Sequence, residues 1–83
     1  MLQLGFGNMV SANRIIAIVN ANTAPVRRLK NEAKKMQKLI DATSGRKTRS
    51  VIIVDSDHII LSAAQSETLV QRLSNQDKMW EQG

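Results

Sequence analysis

The single histidine, His58, closes the run Asp55-Ser56-Asp57-His58, which holds the residue types of a metal shell, an acid–base pair or a nucleophilic triad. A metal needs more ligands than one histidine and two neighbouring carboxylates supply from one turn, and nothing else in the chain completes a shell. A Ser-His-Asp triad fails for a related reason, because residues this close in sequence rarely converge on one reacting atom. Asp-Ser-Asp is instead a turn sequence, its side chains bonding to nearby backbone. A second candidate, Gly5-Phe6-Gly7-Asn8, has two glycines but no following basic-hydroxyl pair, so it lacks the parts of a phosphate-binding loop. Those glycines fit a bulge or close backbone packing. With no cysteine there is neither a thiolate nucleophile nor a disulfide framework. The sequence therefore points away from catalysis, and no cofactor or metal site is expected.

The remaining chemistry is ionic. Residues 14–49 carry Arg14, Arg27, Arg28, Lys30, Lys34, Lys35, Lys38, Arg46, Lys47 and Arg49 against Glu32 and Asp41, a local balance of +8. Residues 50–83 balance at −3, giving +5 overall. Such asymmetry points to a polyanionic partner, to head-to-tail self-association, or to both. Guanidinium forks and ammonium groups bind phosphate oxygens, and Thr48 adds a neutral donor within Arg46-Lys47-Thr48-Arg49. Phe6 and Trp80 are the only aromatics, so a reader of single strands or RNA has almost no stacking platform. Duplex DNA, held through its phosphates, fits better. The basic segment lacks a bulky free apolar face, which argues against a membrane surface.

The elements that must position these charges follow from periodicity. Leu2 to Val10 reads as a strand or bulged entry and Arg14 to Val19 as a strand apolar on both faces. Thr23 is placed to cap a helix opening near Pro25. In that helix Val26, Leu29, Ala33, Met36 and Ile40 form an apolar stripe, with Arg27, Lys30, Lys34 and Lys38 along an adjoining flank. Leu39 to Ala42 and Ser50 to Asp55 read as a hairpin through Ser44-Gly45, with Arg46, Lys47 and Arg49 near its tip. Asp55 to Asp57 turns into a strand over His58 to Ser62, and Ser66 opens a short helix carrying Leu69, Val70 and Leu73. The pattern fades from Ser74, giving a domain over 1–73 and a polar tail over 74–83. The expected class is α+β, a ββαβββα domain with a mainly antiparallel sheet and one long basic helix. At 83 residues a chain of this kind has a marginal core. Strands apolar on both faces with so little helical cover leave one face to meet another subunit. A homo-oligomer is expected. The longest apolar run, Ile15 to Val19, is too short for a membrane span, and the start lacks the features of a signal peptide, so a cytoplasmic location is expected.

Several motifs resemble the bacterial RemA family of extracellular-matrix regulatory proteins. They are Gly5 to Ile15 (GFGNMVSANRI), Leu39 to Thr43 (LIDAT), Gly45 to Arg49 (GRKTR) and Val51 to His58 (VIIVDSDH), in an order and spacing spread over roughly residues 3–73. The resemblance implies a cytoplasmic, nucleoid-associated DNA-binding regulator that promotes transcription of matrix (biofilm) genes. It also implies closed rings around which DNA bends. Carried over by motif, Arg14 and the pair Arg46-Lys47 stand at the family's DNA-contact positions, with Arg49 beside them, and Pro25 at a position needed for structure or assembly. Two departures are visible: the family pattern usually has two arginines where this chain has Arg46-Lys47, and a tyrosine where it has Ser44. The other functional classes to weigh are a non-catalytic protein-interaction scaffold and a small-anion or nucleotide-binding module using the loop from Gly5 to Asn8.

Overall fold

Val51-Ile52-Ile53-Val54 is apolar at four consecutive positions, and such a strand is stable only with cover on both faces. In a computed structural model, which describes the backbone of residues 1–5 and 7–82 and the side chains of these as far as Asn75, that cover comes from one chain. The elements are β1 (Leu2–Gly5), β2 (Asn8–Val10), a single 3-10 turn (Ala12–Arg14), β3 (Ile15–Asn20), α1 (Ala24–Lys35), β4 (Leu39–Asp41), β5 (Ser50–Val54), β6 (Ile59–Ser62) and α2 (Ser66–Gln82). The class is α+β, as expected, and the entry segment resolves into a hairpin of its own. Gly5 and Gly7 both have positive φ at its turn (+91° and +81°), and the register shifts between Gln3 and Gly5. Phe6 lies outside the described residues.

A four-stranded sheet in the order β3-β5-β6-β4 forms the centre. β5 is antiparallel to β3 and to β6, while β4 runs parallel to β6. On one face Val51, Ile59 and Leu61 pack with Val26 and Ala33 of α1. On the other, Ile52, Val54 and Ile60 pack with Leu2 and Leu4 of β1 and with Leu69 of α2. This corrects the expectation that one face would stay bare: the β1–β2 hairpin and α2 form a third layer. What remains exposed is apolar residues at the margins, including Met9 on β2, Ile16 on β3 and Ile40 on β4.

The hairpin between β4 and β5 is also corrected. β5 has two neighbours, β3 and β6, and the tight turn after Val54 makes β6 its hairpin partner. The shorter β4, ending in exposed Asp41, takes an edge, where a polar residue costs least. The chain over 43–49 therefore crosses the end of β6 instead of closing a hairpin. Two details of α1 differ as well. Thr23 is its N-cap by position, but its side chain makes no capping bond. The helix ends at Lys35, before Gln37 with its positive φ of 58°, so Met36 swings out of the apolar stripe to 66% exposure. Finally, α2 outlasts its amphipathic pattern, and its backbone remains helical to Gln82.

Candidate nucleic-acid interface

Strand directions decide which charges meet. β3, β4 and β6 run the same way, so their C-terminal ends share one end of the sheet with the start of β5. Both α1 and α2 begin at that end, following β3 and β6, and helix N-termini carry partial positive charge. The crossover loop lies there too. Its entry is fixed by Asp41, whose Oδ1 accepts from the Thr43 backbone N–H at 2.9 Å and from the Thr43 hydroxyl at 2.6 Å. These bonds hold the Asp41 carboxyl below its ordinary range, the hydroxyl contributing most, then the backbone N–H, with Lys30 adding a smaller attraction against a modest opposing effect of burial.

Ser44 (φ 54°) and Gly45 (φ 80°) then turn the chain through the left-handed region, and the Arg46 N–H donates to the Thr43 carbonyl at 3.1 Å. At the far end the Arg49 N–H donates to the Ser62 carbonyl at 2.9 Å, and its own carbonyl accepts from Ala21 at 3.2 Å. The Asp41 carboxylate and main-chain bonds thus brace the loop, and the side chains of Arg46, Lys47 and Arg49 are exposed. Lys47, Thr48 and Arg49 line a polar hollow of about 260 Å³ with Asn20, Asn22, Gln65 and Glu67. Exposed Arg27 and Arg28 occupy the first turns of α1 at the same end. Behind the loop two buried serines close the sheet: Ser50 donates to the Ala64 carbonyl at 2.7 Å, and Ser62 accepts from the Ala64 N–H at 3.1 Å.

Arg14 stands elsewhere. It ends the 3-10 turn, its N–H donating to the Ser11 carbonyl, and it precedes β3, whose other end reaches Asn20. Six steps of about 3.3 Å place it roughly 20 Å from the crossover-loop end. Its Nε donates to Asp55 Oδ1 at 2.9 Å, a partner 41 residues away that nothing in the sequence marks. At Arg14's end of the sheet, His58 Nδ1 is bonded to the Ser56 hydroxyl at 2.7 Å, and Lys38 approaches the Ser56 carbonyl at 3.5 Å. Lys38 therefore serves the turn and not a flank of α1. Pro25 lies exposed in the first turn of α1. Among the described residues no cluster of three or more potential metal ligands forms, and no helix is long and apolar enough to cross a membrane.

The comparisons with known proteins agree with the motifs. The RemA-like family, described as extracellular matrix regulatory protein A-like, matches residues 1–73. The chain belongs to this family. A protein of Thermodesulfovibrio yellowstonii named as a regulatory protein is 62% identical over 74 residues, spanning 89% of this chain and 87% of that one. One from Halalkalibacterium halodurans with the same style of name is 57% identical over 79 residues, spanning 95% of this chain and 91% of that one. A third, from Pseudothermotoga lettingae, is 61% identical over 72 residues, spanning 87% and 79%. The RemA-like match ends at Leu73, where the amphipathic pattern of α2 also fades.

Proposed function

We propose that this RemA-like protein is a non-catalytic regulator of transcription that binds duplex DNA through its phosphates. The observation that carries the reading is the gathering of positive charge at one end of the sheet. Arg46, Lys47 and Arg49 project there from a backbone-braced loop, Arg27 and Arg28 stand beside them, and the N-termini of α1 and α2 share that end. Phosphate contacts of this kind give affinity without reading sequence. Arg14, roughly 20 Å away, makes a second station.

Each chain engages few phosphates, so useful affinity comes from several chains on one duplex. We propose a ring-like homo-oligomer, supported by the exposed apolar residues along the sheet margins and by the two edge strands, β3 and β4. Family membership supports action in the cytoplasm on matrix genes. The test is a titration of a labelled duplex at several salt concentrations, with single strands as competitors and oligomer mass measured in parallel by sedimentation. Affinity should fall steeply with salt, and single strands should compete poorly. Affinity indifferent to salt, or tight salt-resistant binding to one protein partner instead, refutes the reading.

A further inference from the structure

Arg14 and Asp55 are joined twice. The Asp55 backbone N–H donates to the Arg14 carbonyl at 2.9 Å, and the Arg14 Nε donates to Asp55 Oδ1 at 2.9 Å. Both backbones are fixed independently of the ion pair. Arg14 closes a 3-10 turn through its bond to Ser11, and Asp55 sits in a turn closed by the Asp57 N–H on the Val54 carbonyl at 3.1 Å. Asp57 holds a positive φ of 65° in that turn. Little backbone freedom is therefore lost when the side chains meet.

The pair is solvent-exposed, at 59% for Arg14 and 52% for Asp55, so its contribution to folding is small. Its geometry matters more. A guanidinium has five N–H donors, and a bond through Nε leaves the four terminal ones to meet an anion. A carboxylate on Nε fixes the plane of the fork and limits the rotamers of a long side chain, a cost otherwise met on binding.

We propose that Asp55 is a positioning residue for Arg14, holding its guanidinium ready for a phosphate of the bound duplex; this rests on the DNA-binding reading of Arg14 given above. The idea opposes simple electrostatics. A carboxylate beside a phosphate repels it, so if Asp55 were only a nearby charge, its removal would tighten binding.

Two variants separate these outcomes. Asp55→Asn removes the charge but keeps an oxygen that accepts from Nε, whereas Asp55→Ala removes both. Duplex affinity, salt slope and urea midpoint are measured for each, beside Arg14→Ala and Arg14→Ala/Asp55→Ala. Positioning predicts that Asp55→Ala binds about 1.5-fold to fivefold more weakly per contacting chain. Asp55→Asn should match or exceed the parent, and the double variant should bind no worse than Arg14→Ala. Equal tightening by both Asp55 variants would mean charge repulsion alone, and no change in either would mean no role; both overturn the proposal. If Arg14→Ala leaves affinity intact, the DNA reading of Arg14 falls and takes the proposal with it. If Arg14→Ala weakens binding while Asp55→Ala does not, only the positioning role falls.

Discussion

Replacing Arg46, Lys47 and Arg49 together by alanine removes three exposed cations from a loop that Asp41 and main-chain bonds brace. Its path is set by Asp41 on Thr43, by the turn through Ser44 and Gly45, and by the main-chain bonds of Arg49 to Ser62 and Ala21. The variant should therefore keep the oligomeric state and urea midpoint of the parent. Its DNA binding should change in a defined way. Each neutralised phosphate contributes about 0.9 to the slope of log affinity against log salt. If each side chain meets one phosphate, the slope flattens by about 2.7 for every chain in contact. A fourfold rise in salt costs about 3.5-fold per phosphate, so the parent loses roughly 40-fold more affinity than the variant per engaged chain over that range. Fluorescence anisotropy of a labelled duplex, read at four or five salt concentrations, measures the slope directly. A folded, correctly assembled variant with the parent's slope would show that this end of the sheet does not face the duplex. The crossover loop would then lose its place in the DNA interface, leaving Arg14 alone to carry it.

Two further outcomes test the scaffold. Leu69 is fully buried against β1 and the sheet, while Val70, the next residue on α2, is 52% exposed. Leu69→Ala should cost about 2–5 kcal/mol, a large share of the roughly 4–12 kcal/mol expected of a domain this size, and Val70→Ala less than about 0.5 kcal/mol; urea unfolding at fixed protein concentration compares them, and equal costs would refute the third layer. Asp41 has a lowered pKa in the folded chain, so its bonds to Thr43 add stability above the ordinary carboxylate range that is lost as pH falls through the folded value. The stability gap between the parent and Asp41→Asn should be open at neutral pH and close in acid, and a gap independent of pH would show that the charge of Asp41 is not what holds the loop.

How much of this was legible in the sequence depends on the range over which each feature is decided. The core of β5, the turn at Asp55 to Asp57 and the stretch of α1 carrying Val26, Leu29 and Ala33 are local matters of periodicity and turn chemistry, and they stand where the pattern puts them. The end of α1 was less visible, because Met36 continues the apolar spacing, yet the chain must reverse at Gln37 to bring Lys38 and Leu39 beside β6. The fate of β4 was hidden for a different reason. Local pattern offers Leu39 to Ala42 and Ser50 to Asp55 as adjacent strands, but β5 has only two edges to pair, and both are taken by longer partners, β3 along five paired positions and β6 through a tight turn.

That competition sets the chemistry as well as the topology. As a hairpin tip, Arg46, Lys47 and Arg49 would stand out from the sheet with only one another for company. As a crossover loop they lie across the end where three parallel strands finish and two helices begin. The partial charges of those helix ends and the guanidinium groups of Arg27 and Arg28 then add to theirs. Composition gives only the sign of the chain's own charge, a net +5. Pairing between strands far apart in the chain determined where that charge is concentrated, and it set Arg14, bonded to Asp55, at the opposite end of the same sheet.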